Sequence, residues 1–202
     1  ISLPRTVFLN DFYSIWGDTV GKLFITDTSN HLIRTLDLND PTTPFITVAG
    51  NGDASLPKNG AIATSTGLGF PSQLWVNVEG HFFFADAEAC NVYEVNKEGR
   101  IYKILGTGSY GGELRLGSSS VLTQIGSPVG IVGDVLGNVY VAANSGHGVI
   151  YKLSERSVKY DYKVEYYAGV RGVYSLQGSY GNGNGDGDGL LATSTHFTYI
   201  GS

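Results

Sequence analysis

Phe12-Tyr-Ser-Ile-Trp-Gly-Asp-Thr-Val-Gly-Lys-Leu-Phe-Ile-Thr-Asp27 carries the clearest structural signal in the chain, because two later segments align with it without a gap. They are Pro71-Ser-Gln-Leu-Trp-Val-Asn-Val-Glu-Gly-His-Phe-Phe-Phe-Ala-Asp86 and Pro128-Val-Gly-Ile-Val-Gly-Asp-Val-Leu-Gly-Asn-Val-Tyr-Val-Ala-Ala143. Each copy predicts strand, tight turn, strand. Asp18, Asn77 or Asp134 supplies a side-chain oxygen for the backbone N–H groups ahead of it, and Gly21, Gly80 or Gly137 takes backbone angles that a side chain resists. The triplets Leu23-Phe24-Ile25, Phe82-Phe83-Phe84 and Val139-Tyr140-Val141 are apolar at every position, which predicts strands covered on both faces.

Each block is followed by two more predicted strands. In the first unit these are Leu32–Leu36 and Phe45–Ala49, in the second Val92–Val95 and Ile101–Leu105, and in the third Val149–Leu153 and Tyr162–Tyr166. In the later pairs polar residues begin to alternate with apolar ones, as expected of outer strands with one wet face. The blocks start 59 residues apart (Phe12 to Pro71) and then 57 apart (Pro71 to Pro128). Four short strands per fixed period, with doubly apolar inner strands, predict an all-β propeller of four-stranded antiparallel blades, three of them in this chain. The units run approximately 12–70, 71–127 and 128–199, with 1–11 as the end of a preceding unit.

Composition narrows the partners. The chain has 202 residues, 42% hydrophobic, and its 13 Lys and Arg are scattered under a net charge of −5, so no basic footprint for nucleic acid is present. No run approaches the roughly 18 apolar residues of a membrane-spanning helix. Cys90 is the single cysteine, which excludes an internal disulfide and a thiolate metal cluster. Methionine is absent even at position 1, so Ile1 reads as the edge of a processed or partial chain, and no Asn-x-Ser/Thr acceptor occurs.

Phe24-Ile-Thr-Asp-Thr-Ser-Asn-His-Leu-Ile-Arg34 resembles the core of the NHL repeat, named for residues of the type found at Asn30, His31 and Leu32. Val48-Ala-Gly-Asn-Gly52 followed by Ala63-Thr-Ser-Thr66 and Phe70-Pro71 is similar to the linker of secreted-type NHL proteins, and Gly185–Gly189 with Ala192–Thr195 repeats it. The later units depart from the pattern, with Ala89, Cys90 and Asn91, then Gly146, His147 and Gly148, at the naming positions. The resemblance implies a β-propeller, an extracellular or surface location, and little about chemistry.

Matching Ala192–Thr195 to Ala63–Thr66 puts Ile200 where Pro71 stands, so the chain stops as a fourth unit would begin. Closed propellers have about four to eight blades, so other copies of this chain, or further blades of a longer one, are expected to complete the ring. The expected contact residues are Val7 and Phe8 at one end, Phe197 and Tyr199 at the other, and Tyr174 and Tyr180 in the 172–187 insertion. Tyr162, Val164 and Tyr166 are expected to pack between blades.

The chemistry-bearing residues are sparse. The four histidines, His31, His81, His147 and His196, are spread over turns and a linker, and Cys90 has no evident base beside it. A non-catalytic association module is the first reading of function. Part of an NHL-like lyase or lactonase, with a metal at the propeller axis, is the alternative. Gly181–Gly189 alternates glycine with Asn182, Asn184, Asp186 and Asp188 in the manner of an oxygen-rich calcium loop, but Thr195 stands where a twelve-residue loop places its Glu. No cofactor is expected there; the alternative is calcium held by Asn184, Asp186 and Asp188.

Overall fold

The inner hairpins form as their turns dictate. Asp18 Oδ1 accepts the N–H groups of Val20 and Lys22 at 3.0 and 2.7 Å, and Asn77 Oδ1 those of Glu79 and His81 at 3.0 and 2.9 Å. Asp134 Oδ1 accepts from Leu136 and Asn138, each at 2.9 Å. Gly21, Gly80 and Gly137 follow at φ of 89°, 83° and 82°, a region open mainly to glycine. In this computed structural model, which describes residues 7–40, 42–110, 119–144, 148–155 and 159–169, the chain is all-β. Among the described residues helical geometry is confined to three short 3-10 turns, Thr28–Asn30, Ala63–Ser65 and Ser120–Leu122.

Three antiparallel sheets follow one another. The first holds β1 (Phe12–Gly17), β2 (Lys22–Asp27), β3 (Leu32–Asp37) and β4 (Ile46–Ala49) in that order. The second holds β6 (Pro71–Val76), β7 (Phe82–Asp86), β8 (Asn91–Val95) and β9 (Arg100–Leu105). It also gains an unexpected fifth strand, β5 (Ala61–Ile62), which the linker lays along β9. The third holds β10 (Ser127–Gly133), β11 (Val139–Asn144), β12 (Gly148–Glu155) and β13 (Tyr162–Gly169). Bulges recur at matching places: in the inner pairs after Phe12, Pro71 and Pro128, and in the outer pairs after Ile33, Val92 and Ile150. A bulge bends and twists its strand, so each blade is shaped alike.

The first strands β1, β6 and β10 lie against one another in that order, which is the radial arrangement of a partial β-propeller. Two cores fill the wedges. Phe24 and Ile33 meet Leu74, Phe82, Phe84, Tyr93 and Val95 between sheets one and two. Trp75, Phe83 and Val92 meet Ile131, Val139, Val141, Tyr151 and Leu153 between sheets two and three. The Trp75 ring needs the missing side chain of Gly133, where a Cβ would lie 2.1 Å from Cη2. Tyr162 is buried in this second core, with Val164 and Tyr166 packed against it, as their alternation predicted.

Candidate association surfaces

The repeat makes the two open faces of the sheet stack comparable with the filled ones. Call the side of sheet one that packs onto sheet two its leading face; it presents Trp16, Phe24 and Ile33. The same register positions are Trp75, Phe83 and Val92 in sheet two, all buried, and Val132, Tyr140 and Ile150 in sheet three, none of them buried. Trp75 is 7% exposed and its counterpart Val132 48%. Tyr140 donates its hydroxyl to Asp134 Oδ2 at 3.1 Å, meets Tyr167 edge-on at 5.0 Å and lies 6.0 Å from the Lys152 ammonium.

The trailing face of sheet one is the other half of the comparison. Leu74, Phe82, Tyr93 and Val95 are buried on sheet two, whereas their counterparts in sheet one are Ile15, Leu23, Arg34 and Leu36, all at least partly exposed. Ile15 is 59% exposed where Leu74 is 2%. Gly17, the counterpart of the Gly133 that seats Trp75, faces open space. Ile25 on this face is buried, and Arg34 Nε bonds Asp27 Oδ2 at 2.5 Å. At one end of each blade the inner hairpin tips also expose Val20, Val78, Val135 and Leu136.

Carboxylates at the end of the second strand do work the sequence reading did not assign. Asp86 accepts N–H groups of Gly69 and Phe70, each at 3.0 Å, and of Ala89 at 3.1 Å, pinning the linker that enters β6. Asp27 does the same for the first sheet, accepting from Asn10 N–H at 2.8 Å and from Asn30 Nδ2 at 2.7 Å. The recurring Asp27 and Asp86 of the aligned blocks were the available signal. His31, in the left-handed region at φ 57°, bonds the Gly69 carbonyl oxygen through Nδ1 at 2.6 Å. His81 Nδ1 lies 2.8 Å from Glu94 Oε1, and Glu94 Oε2 accepts the Tyr162 hydroxyl at 2.9 Å, so this group ties sheet three to sheet two. Cys90 is buried; desolvation, then the Asp86 charge, push its thiol up to about 11.

Of the expected contact residues, Val7 and Phe8 are described. They form no strand: Phe8 is 90% exposed, and its carbonyl oxygen accepts from Asn30 Nδ2 at 3.1 Å. No described strand pairs with residues 7–10. Tyr174, Tyr180, Phe197 and Tyr199, the calcium candidates Asn184, Asp186 and Asp188, and His147 and His196 lie outside the described residues. Among the described residues no three His, Cys, Asp or Glu side chains converge as a metal group. No described helix is long and apolar enough to cross a membrane.

No family model matches the chain, and no curated protein does. Solved structures do. An auxiliary nutrient binding protein from Bacteroides thetaiotaomicron is 19% identical with a TM-score of 0.55, over 79% of this chain and 39% of its own. A gluconolactonase from Xanthomonas campestris is 10% identical with a TM-score of 0.52, over 78% and 46%. A catalytically inactive virginiamycin B lyase from Staphylococcus aureus, solved with quinupristin, is 19% identical with a TM-score of 0.50, over 82% and 43%. The fold is a β-propeller. The chain spans less than half the length of these three structures, and at such identities the likeness extends to the fold alone.

Proposed function

We propose that this chain is an NHL-type propeller segment that works as an extracellular or surface association module, its open blade faces covered by blades of a second copy. The observation that carries the reading is the correspondence between the two faces. The leading face of sheet three and the trailing face of sheet one are the two halves of one more interface of the kind filled twice inside the chain. Val132, Tyr140 and Ile150 supply one half, and Ile15, Leu23 and Leu36, with the open space at Gly17, supply the other. Apolar surface of this kind is ordinarily paired. Head-to-tail contacts close into a ring if the rotation permits, two copies giving six blades, and otherwise continue as a filament.

Sedimentation velocity on the purified chain tests this. Expected are species of two or more copies at roughly tens of micromolar, reverting to monomer when Ile15→Glu or Val132→Glu places a charge on either face. A folded parent chain that stays monodisperse and monomeric at that concentration overturns the reading.

A further inference from the structure

Two half-buried tyrosines that belong to neither blade core are stacked on one another. Tyr102 stands on β9 and Tyr160 in the turn between β12 and β13, so the contact joins sheet two to sheet three away from the wedge that holds them together. The ring centroids lie 3.6 Å apart with 10° between the planes. Since carbons in contact stand about 3.5–4.0 Å apart, the rings overlap almost fully, where aromatic pairs prefer an offset or an edge-on approach. Two other tyrosine pairs are looser: Tyr140 with Tyr167 at 5.0 Å and 70°, and Tyr151 with Tyr166 at 5.4 Å and 38°.

Tyr160 is held in this contact against its backbone preference. It sits at φ 64°, a left-handed conformation that bulky residues seldom adopt and that persists only where surrounding contacts fix it. Three contacts do so: the Tyr102 ring, the Asn96 side chain, whose Nδ2 donates to the Tyr160 hydroxyl at 2.8 Å, and the Lys159 ammonium, 5.1 Å from the ring centroid. Asn96 is itself anchored, its Oδ1 accepting the Arg100 N–H at 2.9 Å. On the Tyr102 side, a Cβ at Gly60 would stand 3.8 Å from Cε1 and 3.9 Å from the hydroxyl oxygen, so the glycine leaves that ring edge, ortho to the hydroxyl, without a side chain against it.

We propose that Tyr102 and Tyr160 form an oxidative cross-linking site, at which a one-electron oxidant ties sheet two to sheet three through a dityrosine bond. Each phenol gives one electron to the oxidant and its hydroxyl proton to water. The two tyrosyl radicals pair their electrons in a carbon–carbon bond between ring positions ortho to the hydroxyls. The hydrogen on each bonded carbon then moves to the phenolic oxygen of its own ring, which restores both aromatic systems. Two electrons and two protons leave the chain, and two equivalents of oxidant are reduced. Radical coupling needs an encounter, and rings already in contact supply it in advance. The rings pass from face-to-face toward edge-to-edge as the bond forms, a movement Tyr160 makes from a turn and not from a paired strand. The cross-link closes a loop of roughly 60 residues, so it acts by restricting the unfolded chain. The inference stands apart from the association reading, since the bond lies within one copy.

Oxidation of the dilute purified chain by tris(bipyridine)ruthenium(III), itself reduced to ruthenium(II), tests this, with coupling of free tyrosine in a parallel sample as proof that the oxidant acts. Expected is a chain lighter by two hydrogens that still runs as a single copy under denaturing conditions, has a higher urea midpoint, and yields tryptic peptides 101–103 and 160–163 joined to each other. Tyr102→Phe and Tyr160→Phe keep a ring in the stack but have no phenol to oxidise, and each is expected to lose the joined peptide with an unchanged circular dichroism spectrum. Tyr110→Phe, which removes an exposed phenol elsewhere, is expected to retain it. No coupling in the folded parent, coupling only between separate chains or at another tyrosine pair, or a joined peptide that survives in either of the first two variants overturns the proposal.

Discussion

Asp86 sets two local effects against each other. Three backbone N–H bonds favour its ionised form, yet burial outweighs them and its pKa is raised from 3.8. The folded chain therefore keeps this proton at pH values where the unfolded chain has released it. By linkage, the stability owed to Asp86 is fully present below the ordinary carboxylate pKa and is lost as pH rises through the raised folded value. Compared with Asp86→Ala, the parent should hold a larger advantage in urea midpoint near about pH 4 than near about pH 7. An advantage larger at the higher pH would show that the N–H bonds dominate instead, and an equal one that the two effects cancel.

Blade packing turns on one paired choice of residues, the Trp75 ring over Gly133. A methyl group at that glycine would overlap ring carbons at 2.1 and 2.5 Å, and neither the β10 backbone nor an indole wedged in the core moves cheaply. Gly133→Ala should therefore lower stability by about 1–3 kcal/mol in urea denaturation, an overpacking effect. A variant as stable as the parent would mean the ring has room to shift. The strands and turns of these blades were legible because they rest on local chemistry: apolar triplets, and Asp or Asn three residues before Gly. Strand β5 was hidden, since two residues in a linker leave no periodicity to read. The difference between filled and open faces was hidden for another reason: Trp75 and Val132 hold the same place in the repeat, and only the order β1, β6, β10 shows which of them meets a neighbouring blade.

Assembly is where local packing becomes a property of the particle, and it yields two predictions. The Asn184, Asp186 and Asp188 segment is expected to hold no ion, so EDTA should leave the thermal midpoint unchanged and millimolar calcium should not raise it. A calcium-dependent rise that Asp186→Asn removes would instead assign these residues to a metal, since a ligand bound only by the folded state stabilises it.

The second prediction concerns the polarity of the contact between copies. In a head-to-tail junction the trailing face of one copy meets the leading face of another, so each junction takes one face of each kind and a copy's own two faces belong to different junctions. Ile15→Glu disables a trailing face and leaves the leading face intact; Val132→Glu does the converse. Each variant alone has one usable face and no complement for it, and should remain monomeric. Mixed in equal amounts they regain one unaltered junction, formed by the leading face of the first and the trailing face of the second. Both free ends of that pair carry an added carboxylate and repel each other, so growth stops at a one-to-one heterodimer and neither ring nor filament forms. A two-fold contact, in which each face meets its own copy, predicts otherwise: one variant alone would still dimerise through its intact face, and mixing would add nothing. Sedimentation of the two variants, separately and mixed, decides between these geometries.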